Sequence, residues 1–356
     1  MRTASSLSLL VCLGLGVVIN ACSGSVATFG PDAGGVPEGG VDGAIDGAAP
    51  EGGPVLPPQP GGPLTIFGAY AVSNVFLGET NRSGVPTKDA WKTYGENIDG
   101  LVTTRESTNV CKRVAGADSA KQEDGNDGID NAFGRTVLGF ILGLVPTPTK
   151  TANDQIAKGG RTMMLNLLAS PPRFGLLSAE AISTPPTFLP TEVRAAVAST
   201  VSGSPNSPLS ISSTPTMTTD GGVYSGVTSG TFHVQLGVGD GVWRIPVHLA
   251  RVKMNVTTDG ASANTGTIAG VIPTEELVAE LEKVAGRISP QLCGGSTLDT
   301  IKQTIRQASD ILADGTQDPN QSCNAISIGI GFTAKKVTAS GVAAEPPATP
   351  DPCTNP

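Results

Sequence analysis

A regular alternation of apolar and polar residues in the second half of the chain constrains the fold more than any other feature. Gly230–Val238 and Val242–Val256 place large apolar side chains at every second position, and Thr265–Ile272 follows the turn signal Asp259-Gly260. A period of two is typical of half-buried strands, and an Asp-Gly pair between strands favours a hairpin. These segments predict an antiparallel meander.

Other segments extend the β assignment. Leu64–Gly78 is an apolar run that predicts a buried strand with a bulge at Gly68. Ala325–Val337 alternates strictly, and the small residues between its large ones predict close packing or a flat face. Within Val242–Val256, the side chains predicted to share one face are Trp243, Ile245, Val247 and Leu249.

Helical spacing appears in three places. Phe133–Leu144 carries apolar residues on one helical face. Two later apolar stripes predict a pair of helices. The first stripe consists of Leu277, Leu281, Val284 and Ile288. The second consists of Leu298, Ile301, Ile305, Ala308 and Leu312. We therefore expect a mainly β protein with some α structure, built as an antiparallel β-sandwich-like domain with a C-terminal helix pair.

The composition excludes some partners. The chain has 31 acidic residues against 23 Lys and Arg, and it contains no basic cluster. Nucleic acid is therefore not an expected partner. No apolar run after the N-terminal region approaches the length of a transmembrane helix. The 46 glycines and 28 prolines favour many turns.

The N-terminal region has the features of a secretion signal. Arg2 precedes an apolar run, Leu7–Ile19, that is too short to span a bilayer. The run ends in Ile19-Asn-Ala-Cys22, which resembles the lipobox of bacterial lipoproteins. That resemblance implies that residues 1–21 are removed and that Cys22 is lipidated. Because Ser23 follows the cysteine, it also implies the outer membrane. The alternative is an ordinary cleaved signal, with Cys22 free or disulfide-bonded.

Composition divides the rest of the chain. Residues 22–62 are rich in Gly, Pro and Asp and contain no Lys or Arg, so they predict a flexible tether. Residues 63–345 form the predicted β-rich globular domain, and residues 346–356 form a Pro-rich tail. In this organisation the whole chain resembles the uncharacterised lipoproteins of Gram-negative envelopes that carry such tethers.

Four cysteines remain after Cys12 and Cys22 are set aside, and they are Cys111, Cys293, Cys323 and Cys353. An even number in an exported protein predicts two disulfides, with three possible pairings. We favour the pair Cys293–Cys323, which would clamp the ends of the second predicted helix. The pair Cys111–Cys353 would then fix the tail to the domain. A metal site is less favoured because the sequence has no Cys-x-x-Cys pair.

An acidic stretch, Glu123–Gly134, is the strongest candidate for a functional site. Its side chains offer many oxygens, and two glycines let the backbone turn. This pattern suits Ca²⁺, for which the candidate ligands are Asp124, Asn126, Asp127 and Asp130. The spacing departs from an EF-hand at three positions, which are Gly128, Ile129 and Arg135.

The other interpretation of the same stretch, which we favour, is an acidic turn. Its Asp and Asn side chains would then cap their own backbone. Asp130 or Asn131 would cap the predicted helix that runs to Leu144.

Catalytic motifs are absent from the sequence. It contains no nucleophile elbow, zinc-protease motif, P-loop or dinucleotide fingerprint. His233 and His248 lie in predicted strands. Together with one carboxylate they could bind zinc, but we favour the interpretation that both are half-buried strand residues. We therefore expect a lipid-anchored, non-catalytic binding or structural module for an unknown protein or glycan. The alternative is an envelope-anchored hydrolase of polysaccharide, because carboxylate pairs need not be close in sequence.

Overall fold

The computed structural model describes residues 65–118, 122–169, 173–212, 216–217, 222–238, 241–345 and Cys353. These residues fall within a single unit, Pro60–Pro356. The predicted signal peptide, Cys22 and the predicted tether lie outside the described residues. Within the described part of the chain, every helix is too short or too polar to cross a membrane.

Eleven strands occur in the described residues. In chain order, β1 to β11 are Thr65–Phe76, Thr162–Ala169, Arg173–Ala181, Val193–Val197, Ser210–Ser212, Thr216–Met217, Val223–Ser229, Phe232–Val238, Gly241–Val256, Ser262–Pro273 and Ala325–Ala343. Antiparallel pairs run in the order β7-β5-β3-β2-β1-β11-β10-β9. Pairing of β7 with β9 closes this ring, with Val223 opposite Asn255 and Val227 opposite Arg251.

The closed ring corrects the predicted architecture. The chain is mainly β, as predicted, but eight of its strands form a closed antiparallel barrel and not a β-sandwich. The long strand β9 makes closure possible, because its first half pairs with β8 and its second half pairs with β7. Two of the ring strands, β5 and β7, are short or lie in turn-rich sequence. Their pairing partners are distant in sequence, so no local pattern predicted the closure.

The inward face of β9 changes partway along the strand. Trp243 and Val247 point into the core as predicted, whereas Leu249 has a positive φ of 49° and leaves that face. Ala250 and Val252 then take over the inward positions. A bulge of this kind inserts one residue and reverses the alternation beyond it.

A second, smaller ring shares four strands with the barrel. The strand β4 pairs antiparallel with β3 and parallel with β11, so β11, β1, β2, β3 and β4 also close. The shared strands are therefore buried on both faces. Large side chains face the main core, while the second face combines small residues such as Ala71 and Ala196 with larger ones such as Met164 and Leu177.

Five helices cover the barrel. They are α1 to α5, spanning Leu138–Leu144, Pro148–Ala157, Thr274–Glu282, Ala285–Ile288 and Ser296–Gln307. A π-helical turn, Phe133–Val137, leads into α1. The apolar stripes predicted for the helix pair are buried in the main core, for example Leu277 on α3 and Ile305 on α5. The pair precedes the last strand and so lies before the end of the domain.

The two disulfides are Cys111–Cys323 and Cys293–Cys353, so the favoured pairing was wrong. Backbone hydrogen bonds explain the first one. Lys112 donates to the carbonyl of Gln321, and Cys323 donates to the carbonyl of Lys112. These contacts hold two segments that are distant in sequence side by side, and helix spacing could not reveal them.

The environments of the two disulfides predict different resistance to reduction. Cys111 and Cys323 are buried, whereas Cys293 is exposed. Thiol attack requires access to sulfur, so a mild reductant should open Cys293–Cys353 first. Alkylation and peptide mapping over a reduction series would measure this order. Recovery of a Cys293–Cys323 or Cys111–Cys353 peptide from the oxidised protein would contradict the pairing.

Candidate functional site

The acidic stretch binds neighbouring loops instead of turning its oxygens to one point. The carboxylate of Asp130 accepts hydrogen bonds from the backbone N–H groups of Ile98 and Asp99. That of Asp124 accepts from the backbone N–H of Thr103. Each carboxylate thus fixes a different part of the segment between Tyr94 and Thr103.

The two remaining candidate calcium ligands, Asn126 and Asp127, are exposed. Asp127 has a positive φ of 55° within a short 3₁₀ turn. Among the described residues, no three His, Cys, Asp or Glu side chains come together in a way that could hold a metal ion. The structure therefore places the four predicted ligands apart, with Asp130 buried, Asp124 partly buried, and Asn126 and Asp127 at the surface.

Asn131 is the most heavily bonded side chain of the stretch. Its Nδ2 donates to the carbonyls of Trp91, Tyr94 and Gly329 at 3.0–3.1 Å. Its Oδ1 accepts from the backbone N–H of Gly329 at 3.0 Å and from that of Gly134 at 2.9 Å. The bond to Gly134 caps the following helical turn, as the acidic-turn interpretation of the stretch predicted.

Ser327 on β11 extends this network. Its Oγ accepts a hydrogen bond from the backbone N–H of Ala132 at 2.8 Å and donates to the Asp310 carboxylate at 2.5 Å. Asp310 also accepts from the backbone N–H of Ser327 at 2.8 Å. The outer face of β11 is therefore bonded both to the acidic stretch and to the segment after α5.

Three carboxyl groups in this network have raised pKa values. Burial, reinforced by the charges of Asp99 and Asp310, raises the pKa of Asp130 to about 8. Burial likewise raises the pKa of Asp124 to about 7, and hydrogen bonds from Thr103 oppose the change. For Asp310 burial again dominates over the Ser327 hydrogen bonds and raises the pKa to about 7. Their neutral forms are favoured by folding.

The two histidines lie at the β8–β9 hairpin. The Nε2 atom of His248 is 2.9 Å from the carboxylate of Glu276 on α3, at a partly exposed position. Burial lowers the pKa of His233, and the nearby charge of Arg244 lowers it further. This histidine is half-buried, as favoured from the sequence.

A large cleft lies beside the end of β1. We call it the basic cleft, and its volume is about 950 Å³. Its lining is mostly apolar with several charged side chains. The residues that define it are Asn74, Phe76, Gly78, Glu79, Thr80, Arg82, Ser83, Gly84, Pro86, Thr87, Lys88, Trp91, Gly134, Arg135, Leu138, Gly139, Leu142, Pro146, Thr147, Thr149, Lys150, Asn153 and Thr333.

Hydrogen bonds fix the walls of the basic cleft. Both carboxylate oxygens of Glu79 accept from Thr149, one from its backbone N–H and one from its hydroxyl, at 2.8 Å each. This places a negative charge at the N-terminal end of α2, where the helix dipole favours it. The side chain of Asn153 on α2 both donates to and accepts from the backbone of Val75.

Arg82 and Arg135 are held over aromatic rings. The Arg82 guanidinium donates to the carbonyls of Phe332 and Gly266 and lies 5.3 Å from the centroid of Tyr94. Burial lowers the pKa of Arg82 from its ordinary value. Arg135 lies 5.2 Å from the centroid of Trp91 and donates to the carboxylate of Glu123 at 2.9 Å.

The sequence did not predict the basic cleft. Its lining comes from the turn-rich segment 74–91, from the helix after the acidic stretch and from α2, which only the fold brings together. Within the acidic stretch Glu123–Gly134, only Gly134 belongs to the cleft lining, and the hydrogen-bonding side chains described above lie outside it. Asn131 connects the two features, because it bonds the carbonyl of Trp91 and the start of the helical turn before α1.

Replacing Asn131 by Ala should strongly destabilise the fold. The change removes a hydrogen-bond donor from the carbonyls of Trp91, Tyr94 and Gly329, and the free energy of unfolding should fall by roughly 3 kcal/mol or more. Asn126→Ala, in the same stretch but exposed, is the matched control and should change stability by less than about 0.5 kcal/mol. Urea unfolding would measure both. Equal effects of the two changes would contradict the assigned role of Asn131.

The raised pKa values of Asp124, Asp130 and Asp310 make the stability of the domain depend on pH. The free energy of unfolding should fall as the pH rises from about 5 to about 8.5, because these three carboxyl groups bind more protons in the folded protein than in the unfolded one. The raised pKa of Asp130, about 8, gives it the highest value of the three. Asp130→Asn should therefore make the slope of unfolding free energy against pH shallower. Hydrogen bonding from Gln321 lowers the pKa of partly exposed Asp318, so Asp318→Asn should leave the slope unchanged. A slope unaffected by Asp130→Asn would contradict this prediction.

Comparisons with models of protein families, with curated proteins and with solved structures find no match to this chain.

Proposed function

We propose that this chain is a lipid-anchored protein of the cell envelope whose barrel domain binds a small ligand in the basic cleft without converting it. The cleft is the observation that carries the proposal. Its volume of about 950 Å³ lies within the range of sites that enclose drug-sized ligands. Its mostly apolar lining with a few placed polar groups is also typical of such sites.

Rigid walls support a binding role. Glu79 is fixed to α2 through Thr149, and Asn153 joins the same helix to β1. A preformed site loses less conformational freedom on binding than a flexible one, and so retains more of its contact energy. The basic cleft therefore has the pre-organisation that a specific binding site needs.

The charged groups of the cleft favour binding over hydrolysis of a polysaccharide. Glycosidases generally place two carboxyl groups on opposite sides of the scissile bond. Glu79 is the one carboxylate among the described residues that line the cleft, and both of its oxygens accept hydrogen bonds from Thr149. This arrangement suits a structural cap on α2 better than an acid or a nucleophile.

Anchoring rests on the N-terminal sequence. Lipidation of Cys22 would hold the chain at a membrane, and residues 22–62 would carry the barrel away from the bilayer as a flexible tether. We propose the outer membrane as the location, because Ser23 follows the cysteine. A tethered binding domain would then act on ligands near that membrane.

Two glycines of α1 allow a sharp test of the cleft. Gly139 lines it, Gly143 does not, and a Cβ added at either position meets no atom within 4 Å. Gly139→Trp should therefore fill the cleft without disturbing the fold. Gly143→Trp adds the same side chain to the same helix outside the cleft and serves as the control.

The neutral dye phenylnaphthylamine is a suitable probe, because its fluorescence rises in apolar surroundings. We expect saturable binding to the unmodified domain, a loss of affinity of about tenfold or more in Gly139→Trp, and no change in Gly143→Trp. Titration of dye fluorescence would measure all three proteins. Equal binding by the two variants, or no saturable binding by the unmodified domain, would contradict a binding role for the cleft.

A further inference from the structure

We infer that the ligand of the basic cleft is a single-chain amphiphile with an anionic head group. This inference rests on the proposed binding function and specifies the class of ligand. Four cationic side chains line the cleft, against the single carboxylate of Glu79, and they are Arg82, Lys88, Arg135 and Lys150. The chain as a whole has a net charge of −8, so this local excess of positive charge opposes the overall balance.

Two of the four cations already have anionic partners. Arg135 pairs with Glu123 at 2.9 Å, and Lys150 pairs with Asp154 at 2.5 Å. The negative charge of Glu79 is stabilised by Thr149 at the start of α2. These groups can orient a ligand, but their charges are largely balanced within the protein.

Arg82 and Lys88 supply the unbalanced charge. No carboxylate in the described part of the chain lies within ion-pair distance of either side chain. Arg82 is instead held by two backbone carbonyls and by the faces of Phe76 and Tyr94. A cation partly removed from water and lacking an anionic partner favours an anion in the adjoining space.

One part of the cleft lining is apolar. The helix α1 supplies Leu142, which is partly exposed, and Leu138, which is almost fully buried, and exposed Pro146 follows the helix. Gly139 lies between the two leucines and leaves open space where a side chain would otherwise stand. An alkyl chain lying along α1 would bury apolar surface there, while its head group faced the segment that carries Arg82 and Lys88.

A neutral glycan fits these observations less well. Sugar rings bind by stacking on exposed aromatic faces, but Trp91 and Phe76 are only 7% and 6% exposed. Arg135 and Arg82 also lie over these two rings. The cleft therefore offers charge and aliphatic surface where a glycan site would offer open aromatic rings.

Three probes share the same alkyl chain length and differ in the charge of the head group, so they separate the effect of charge on binding from that of hydrophobicity. They are dodecanoate, dodecanol and dodecyltrimethylammonium. Each would be used below its micelle concentration to displace phenylnaphthylamine from the full chain, with tryptophan fluorescence, to which Trp91 and Trp243 contribute, as a second readout. We expect dodecanoate to bind about tenfold more tightly than dodecanol, and the cationic probe to bind most weakly. Dodecyl phosphate, added as a fourth probe, distinguishes a carboxylate from a phosphate head.

Charge reversal tests the basic side chains directly. The double variant Lys88→Glu with Lys150→Glu changes two exposed residues of the cleft, so we expect it to fold. It should weaken dodecanoate binding by about tenfold or more, and it should weaken dodecanol binding much less, because dodecanol carries no charge. Lys158→Glu with Lys335→Glu makes the same change in net charge at exposed positions outside the cleft and should affect neither probe.

The outcomes separate this inference from the proposed function. Equal affinity for dodecanoate and dodecanol, with both lost in Gly139→Trp, would overturn the anionic head group and leave the cleft as a binding site. An equal loss of dodecanoate binding in the two charge-reversed variants would also overturn it, because the effect would then follow net charge alone. If dye and amphiphiles all bind Gly139→Trp as tightly as the unmodified protein, the proposed binding function fails as well.

Discussion

The side-chain amide of Asn131 is the interaction on which the organisation of this domain depends. It bonds two carbonyls of the segment after β1, both backbone groups of Gly329 on β11, and the first turn before α1. A buried amide with all its groups bonded specifies one arrangement, since any displacement leaves polar groups unsatisfied away from water. The shape of the basic cleft depends on these hydrogen bonds, because Asn131 positions Trp91 and the turn before α1, and both Trp91 and α1 contribute to the cleft lining.

Small residues on β11 let the loops approach the barrel closely enough for these bonds. A Cβ at Gly329 would lie 2.1 Å from the carbonyl oxygen of Tyr94, and one at Gly331 would lie 2.7 Å from the Tyr94 ring. The large residues between them face the main core, as Ile328 and Ile330 do. The two faces of β11 therefore differ. One face is apolar and packs in the barrel interior, and the other carries small and polar residues that contact the loops outside the barrel.

Local sequence patterns predicted the parts of the fold that depend on local structure. Alternation identified β8, β9 and β11, and the Asp259-Gly260 turn signal placed β10. The bulge near Gly68 appears as a register shift in β1, and the stripes of α3 and α5 are buried. The spacing of small residues in Ala325–Val337 predicted close packing, and Gly329 shows it. These successes share a cause, because periodicity records which side of an element is buried.

Features that depend on distant pairings escaped prediction. The ring closes through β5 and β7, where Ile211 pairs with Ser229. The three residues of β5 leave little periodic signal, and β7 carries Ser and Gly between its few apolar residues. The disulfide Cys111–Cys323 joins residues 212 positions apart through a contact that the barrel creates. The acidic stretch has the composition of a cation loop, but composition does not reveal that neighbouring backbone N–H groups occupy its oxygens. The basic cleft required three separate segments to be brought together.

Native-state hydrogen exchange of the Gly329 and Gly134 amides tests the central role of Asn131 most directly. Both amides donate to its Oδ1, and the account predicts that they exchange only when the whole domain unfolds. The opening free energies at these two amides should then equal the global value from urea unfolding. Exchange through a local opening of much lower free energy would contradict the account, since the acidic stretch would then be a loop that detaches while the barrel stays folded.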